Sequence, residues 1–102
     1  RIVAFGKINT NGALLRGQGL SASRTNTGLF AITLTDARPN TNYSVFTSVI
    51  EGTSSRDDII ATIDSGSFTT TSFNISVHEG DNSTTAGTRV NRQFNVMVVD
   101  ID

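Results

Sequence analysis

Leu29-Phe30-Ala31-Ile32-Thr33-Leu34 decides the fold class. Phe30, Ile32 and Leu34 recur at every second residue, which puts them on one side of an extended chain and marks a half-buried strand. The stretch follows Asn26-Thr27-Gly28, a turn sequence, and ends at Asp36-Ala37-Arg38-Pro39-Asn40, which holds the single proline. Toward the N-terminus, a strand over about Ala13 to Ser23 is interrupted by Gly17 and Gly19, a sign of a bulge, a bend or close backbone approach. Asn11-Gly12 suits a type I′ hairpin turn back to a first strand within Arg1 to Thr10.

Toward the C-terminus, Tyr43 to Ile50 is apolar on both faces, with Tyr43, Val45 and Val49 on one and Phe46 and Ile50 on the other. Glu51 to Asp58 reads as a polar loop, Ile59 to Ile63 as a short apolar strand, and Asp64-Ser65-Gly66 as a turn. A strand is expected over Phe68 to His78, where Phe73, Ile75 and Val77 alternate, and a long loop over Glu79 to Asn91. The last strand, Gln93 to Ile101, carries Phe94, Val96 and Val98 on one face and Met97, Val99 and Ile101 on the other. About seven strands at 8–12-residue spacing, with no segment of helical period, predict an antiparallel β-sandwich, jelly-roll or immunoglobulin-like, with little or no helix. Residues 1–102 are read as a single domain.

A sandwich strand needs one apolar face for its own core, so the second rows call for another partner. Phe46, Ile50, Met97, Val99 and Ile101 are therefore the candidate subunit interface; a covering loop is the alternative. The remaining composition agrees with a β-protein, because 35 of 102 residues are Thr, Ser or Asn and Glu and Lys are scarce. A net charge of −1 without any basic block argues against nucleic acid or anionic lipid as partner. The chain has no cysteine, hence no disulfide framework and no thiol nucleophile, and no apolar run long enough to span a membrane as a helix. It opens on Arg1, with the expectation that it is a piece of a longer protein or a processed product.

Ala4-Phe5-Gly6-Lys7-Ile8-Asn9, Asn11-Gly12-Ala13-Leu14-Leu15 and the run from Gly17 to Leu34 resemble a module found near the carboxyl ends of tailed-phage virion proteins, notably tail fibres and tail spikes. Asn42-Tyr43-Ser44-Val45 and Phe94 to Asp100 fit the same pattern. The likeness spans nearly the whole chain apart from Glu51 to Asp58 and Glu79 to Arg92, and the family more often has Gly at the position of Asn26 and Tyr at that of Phe30. The resemblance implies a virion structural protein, usually trimeric, that displays variable loops toward a bacterial surface.

The candidate ligand-binding residues lie on those loops: Arg56, Asp57, Asp58, Asp81, Asn82 and Arg92. Asp57-Asp58 and Glu79-Gly80-Asp81-Asn82 offer oxygen ligands of the kind calcium takes, but without the spacing of a calcium loop, so no metal and no cofactor are expected. His78, the sole histidine, reads as a strand-end surface residue because no Ser-His-Asp spacing supports it. Glycoside hydrolysis needs an acid and a base across a groove, and the few carboxylates sit on loops. Gly17-Gln18-Gly19 lies between strands and is no phosphate cradle. Asn42, Asn74 and Asn82 begin glycosylation sequons that a chain this rich in Asn, Ser and Thr produces by chance. The chain is expected to be no enzyme but a tail-fibre or tail-spike domain of the virion, homo-oligomeric, serving host attachment or trimerisation, with other virion proteins and a bacterial surface glycan or protein as partners. A capsid decoration protein and a carbohydrate-binding module of a larger enzyme are the alternatives.

Overall fold

The computed structural model describes residues 1–50, 58–80 and 87–101. Among these residues there are eight strands: β1 Ile2–Ile8, β2 Leu14–Gln18, β3 Leu20–Asn26, β4 Leu29–Leu34, β5 Ser44–Ile50, β6 Ile59–Ile63, β7 Ser72–Glu79 and β8 Gln93–Val99. They form two antiparallel sheets of four, β2-β1-β8-β5 and β3-β4-β7-β6, here called sheets A and B. The chain is a β-sandwich, and the only helical element among the described residues is the single 3-10 turn Ser65–Ser67.

The alternation read from the sequence builds the core. Phe30, Ile32 and Leu34 of sheet B, with Phe73, Ile75 and Val77 beside them, face Ala4, Ile8, Phe94, Val96 and Val98 of sheet A. Phe30 and Phe94 meet edge to face, their ring centroids 4.9 Å apart, and so join the two sheets through an aromatic contact. Tyr43 packs on Phe68 and Phe73, and its hydroxyl donates to the Thr69 carbonyl at 2.7 Å, which satisfies its polar end at the core margin. Each fully buried Phe, Ile or Val of this set contributes roughly 1.5–3 kcal/mol through removal from water.

Four local expectations are corrected. The single strand expected over Ala13 to Ser23 is two, because at Gly19 the chain leaves sheet A for sheet B, with the Gly19 carbonyl bonded to the Thr35 N–H. The Asn11-Gly12 turn is not type I′: Asn9 accepts from the Gly12 N–H and Asn11 has no positive φ, so Gly12 alone of the two, at φ 92°, takes the left-handed angle. Strand β7 starts at Ser72 instead of Phe68, because the hydroxyls of Thr69 and Ser72 bond each other at 2.8 Å and Thr69 N–H bonds the Ser72 carbonyl, folding this stretch into a turn. Strand β8 ends at Val99, so Ile101 lies beyond it, 93% exposed and outside the row its spacing suggested.

Gly28 behaves as the turn sequence implied. Its φ is +67°, and a Cβ there would stand 2.5 Å from the Val77 carbonyl oxygen. Its N–H donates to the Asn91 side-chain oxygen at 2.8 Å, tying the β3–β4 turn to the segment that enters β8.

Candidate contact surface

The outer face of sheet A collects side chains from four strands in register. Phe46 of β5 stands opposite Met97 of β8, Met97 opposite Phe5 of β1, and Phe5 opposite Gln18 of β2. One row toward the β5 start, Ser44, Val99 and Ile2 are aligned; one row the other way, Ser48, Asn95, Lys7 and Arg16. The middle row is an apolar ladder three strands wide, and large groups in it and beside it remain in water: Phe46 and Ile2 are 56% exposed and Phe5 43%. An open groove of about 550 Å³ is lined by Phe5, Met97 and Phe46 of the middle row and by Lys7, Arg16 and Asn95 of the row beside it.

Phe46, Met97 and Val99 thus lie where the sequence placed them, on the face away from the core, and Ile50 shares it at the end of β5 opposite Gln93. Sequence reasoning missed Ile2, Phe5, Lys7 and Arg16. The signal was present in β1: Gly6 is buried, so Ala4, Gly6 and Ile8 form the inward row and Phe5 and Lys7 fall outward. Counting a glycine as an inward position would have found them. Lys7 and Arg16 face each other directly, an arrangement of like charges that weakens a strand pair. No carboxylate belongs to the three rows.

The loop candidates divide differently. Arg56, Asp57, Asp81 and Asn82 lie outside the described residues. Asp58 is exposed just before β6, and its carbonyl accepts from the Gly80 N–H, which joins the stems of the β5–β6 and β7–β8 connections. Arg92 is half-buried just before β8 and donates from Nη1 to the Asn91 carbonyl at 3.1 Å. His78 belongs to β7, with Nδ1 3.2 Å from the Ser76 hydroxyl. Among the described residues no group of three or more His, Asp or Glu comes together as a metal site would require.

One ionised pair is sheltered. Arg38 Nε donates to Asp100 Oδ2 at 2.9 Å, with side chains 6% and 12% exposed. That bond, seconded by the Ile101 N–H, holds the Asp100 carboxyl below its ordinary pKa. Tyr43 is shifted upward by burial. Neither group lies on the aromatic ladder. Comparison with family models, curated proteins and solved structures finds no match to this chain.

Proposed function

We propose that this chain is a non-enzymatic domain of a phage tail fibre or tail spike, an assembly and host-attachment unit of the virion that meets neighbouring subunits through the outer face of sheet A. The virion part of the reading rests on the sequence resemblance, and its assembly part on the Phe46-Met97-Phe5 ladder, an aromatic and methionine row left in water beside the exposed Ile2. Such a row is unfavourable on a lone domain and is typical of the buried centre of an interface, where aromatic residues and Met are enriched and charges sit at the rim. Lys7 and Arg16 supply such a rim on one side. The sheltered Arg38–Asp100 pair is internally neutralised, and the His78 ring lies beside the Ser76 hydroxyl.

Sedimentation equilibrium at micromolar concentration tests the assembly. The native chain is expected to sediment as a multiple of 10.9 kDa, with Phe5→Ser and Met97→Ser shifting it toward the single-chain mass. A single-chain mass throughout would overturn the reading. Saturable binding of the labelled domain to host cells, against empty phage heads as the second target, separates attachment from decoration of the capsid.

A further inference from the structure

We infer that strand β5 is a second contact site, an open edge that pairs antiparallel with β5 of another copy of this chain. Sheets A and B end in β2, β5, β3 and β6. An edge strand presents a row of unpaired N–H and C=O groups, and proteins guard such rows with charge, proline, shortness or a cover. Three of the four are guarded. Strand β2 has five residues and includes Arg16 and Gly17; β3 includes Arg24, whose guanidinium reaches over to the Thr10 carbonyl at 3.2 Å. Strand β6 has five residues, and its Ala61 carbonyl accepts the Thr47 hydroxyl at 2.9 Å.

Among the described residues, strand β5 is guarded by none of these. Its seven residues, Ser44-Val45-Phe46-Thr47-Ser48-Val49-Ile50, contain no charge, no proline and no glycine, and four are valine, isoleucine or phenylalanine. One side of its main chain is used by the β8 ladder, and among the described residues no other bond involves the main chain of β5. The segment has the composition that favours pairing between identical strands.

A second copy is the occupant because the strand complements itself. Antiparallel pairing about a two-fold axis at Thr47 sets Val45 opposite Val49, Ser44 opposite Ile50 and Phe46 opposite Ser48. Every residue of β5 is then paired, and the side-chain alternation is kept, so Val45 and Val49 stay on the core side of the joined sheet. The two Phe46 rings lie on a diagonal across the axis, within reach of aromatic side chains at about 7–8 Å. The apolar ladder of one copy then continues into that of the next, in a sheet of eight strands. The pairing goes beyond the face reading above, since it requires no contact through Phe5 or Met97.

Two measurements on the whole chain test it. Amide hydrogen exchange followed as concentration rises should slow at every second residue of β5, by about tenfold or more, because only the outward N–H groups gain partners. The double variant Ser44→Lys/Ser48→Lys, whose side chains point away from the core, sets like charges diagonally across the axis and should halve the native mass. Its circular dichroism should remain that of the folded domain. A native chain that stays at 10.9 kDa, or exchange in β5 that ignores concentration, overturns the inference and needs no variant. An assembly lost on Phe5→Ser or Met97→Ser but indifferent to the lysine pair overturns it while leaving the face reading intact. The reverse pattern supports edge pairing and counts against the face as the self-contact.

Discussion

Arg38 and Asp100 are 62 positions apart, yet Nε of one and Oδ2 of the other meet at 2.9 Å under nearly complete cover. The pair links the connection after β4 to the residue that follows β8. Arg38 is also held through its main chain, whose N–H donates to the Thr70 carbonyl at 2.7 Å. Asp100→Asn is therefore expected to lower Tm, since it leaves a sheltered cation unpaired. Arg38→Met/Asp100→Leu should recover much of the loss, because an apolar pair carries no desolvation cost. Equal melting temperatures for the two variants would contradict this account.

The same bond sets a pH dependence. Asp100 titrates below its usual 3.8 in the folded chain, so its contribution is present above the unfolded value and is lost as pH falls through the lowered folded value. Thermal melts followed downward from pH 6 should show the native chain losing stability below the ordinary carboxylate range. Asp100→Asn should show a shallower loss. Parallel curves would mean that Asp100 is not linked to folding.

Phe94 fills the space between the sheets against Phe30 and is fully buried. Phe94→Ala should cost about 3–5 kcal/mol in chemical denaturation, and Phe94→Leu, which keeps most of the volume, much less. A loss below 1 kcal/mol for the alanine variant would show that the sheets close over the gap.

Two glycines make a matched comparison. A methyl group on Gly28 meets the Val77 carbonyl oxygen at 2.5 Å with φ at +67°, whereas on Gly66 it finds only an Asp64 side-chain oxygen at 3.6 Å. Gly28→Ala should cost about 1–3 kcal/mol from backbone strain and displacement. Gly66→Ala should be nearly neutral in the same urea titration.

Tyr43→Phe removes the hydroxyl that bonds the Thr69 carbonyl while keeping the ring packing on Phe68 and Phe73. A loss of about 1 kcal/mol is expected. Ultraviolet titration of the native chain should place the Tyr43 phenol above 10.0, the direction that burial imposes.

Strands whose apolar residues alternate were legible at once. Phe30, Ile32 and Leu34 are core as their spacing says, and Ile59–Ile63 is a strand with the bounds its apolar run suggested. The two-faced character of β5 and β8 was equally visible, since Phe46 and Met97 could not share the inward row with Val45 and Val96. What escaped the sequence is non-local. Gly17 and Gly19 announced a bulge, a bend or a close approach, and the chain does run tight against β1 there, but nothing announced that it changes sheets at Gly19. The approach of Arg38 to Asp100 follows only once the end of β4 and the end of β8 are brought together across the two sheets. Phe5 was hidden by a buried glycine at the next position, which hydropathy does not score as core. The loop residues were chosen for their chemistry alone, and of these Asp58 and Arg92 are described, both at the stems of connections.

Strand β8 enters sheet A between β1 and β5, which are otherwise not neighbours. Sheet B uses only strands completed by Glu79, so during synthesis from the N-terminus it can form while sheet A still lacks the strand that joins β1 to β5 and faces Phe30 with Phe94. Phe94, Val96 and Val98 arrive last and close that layer as a keystone, across a separation of about 90 residues from β1. A chain that ends before residue 93 therefore carries seven of these eight strands with a gap in sheet A over Phe30. For this fold the placing of β8 is the step that separates a closed core from a sticky intermediate.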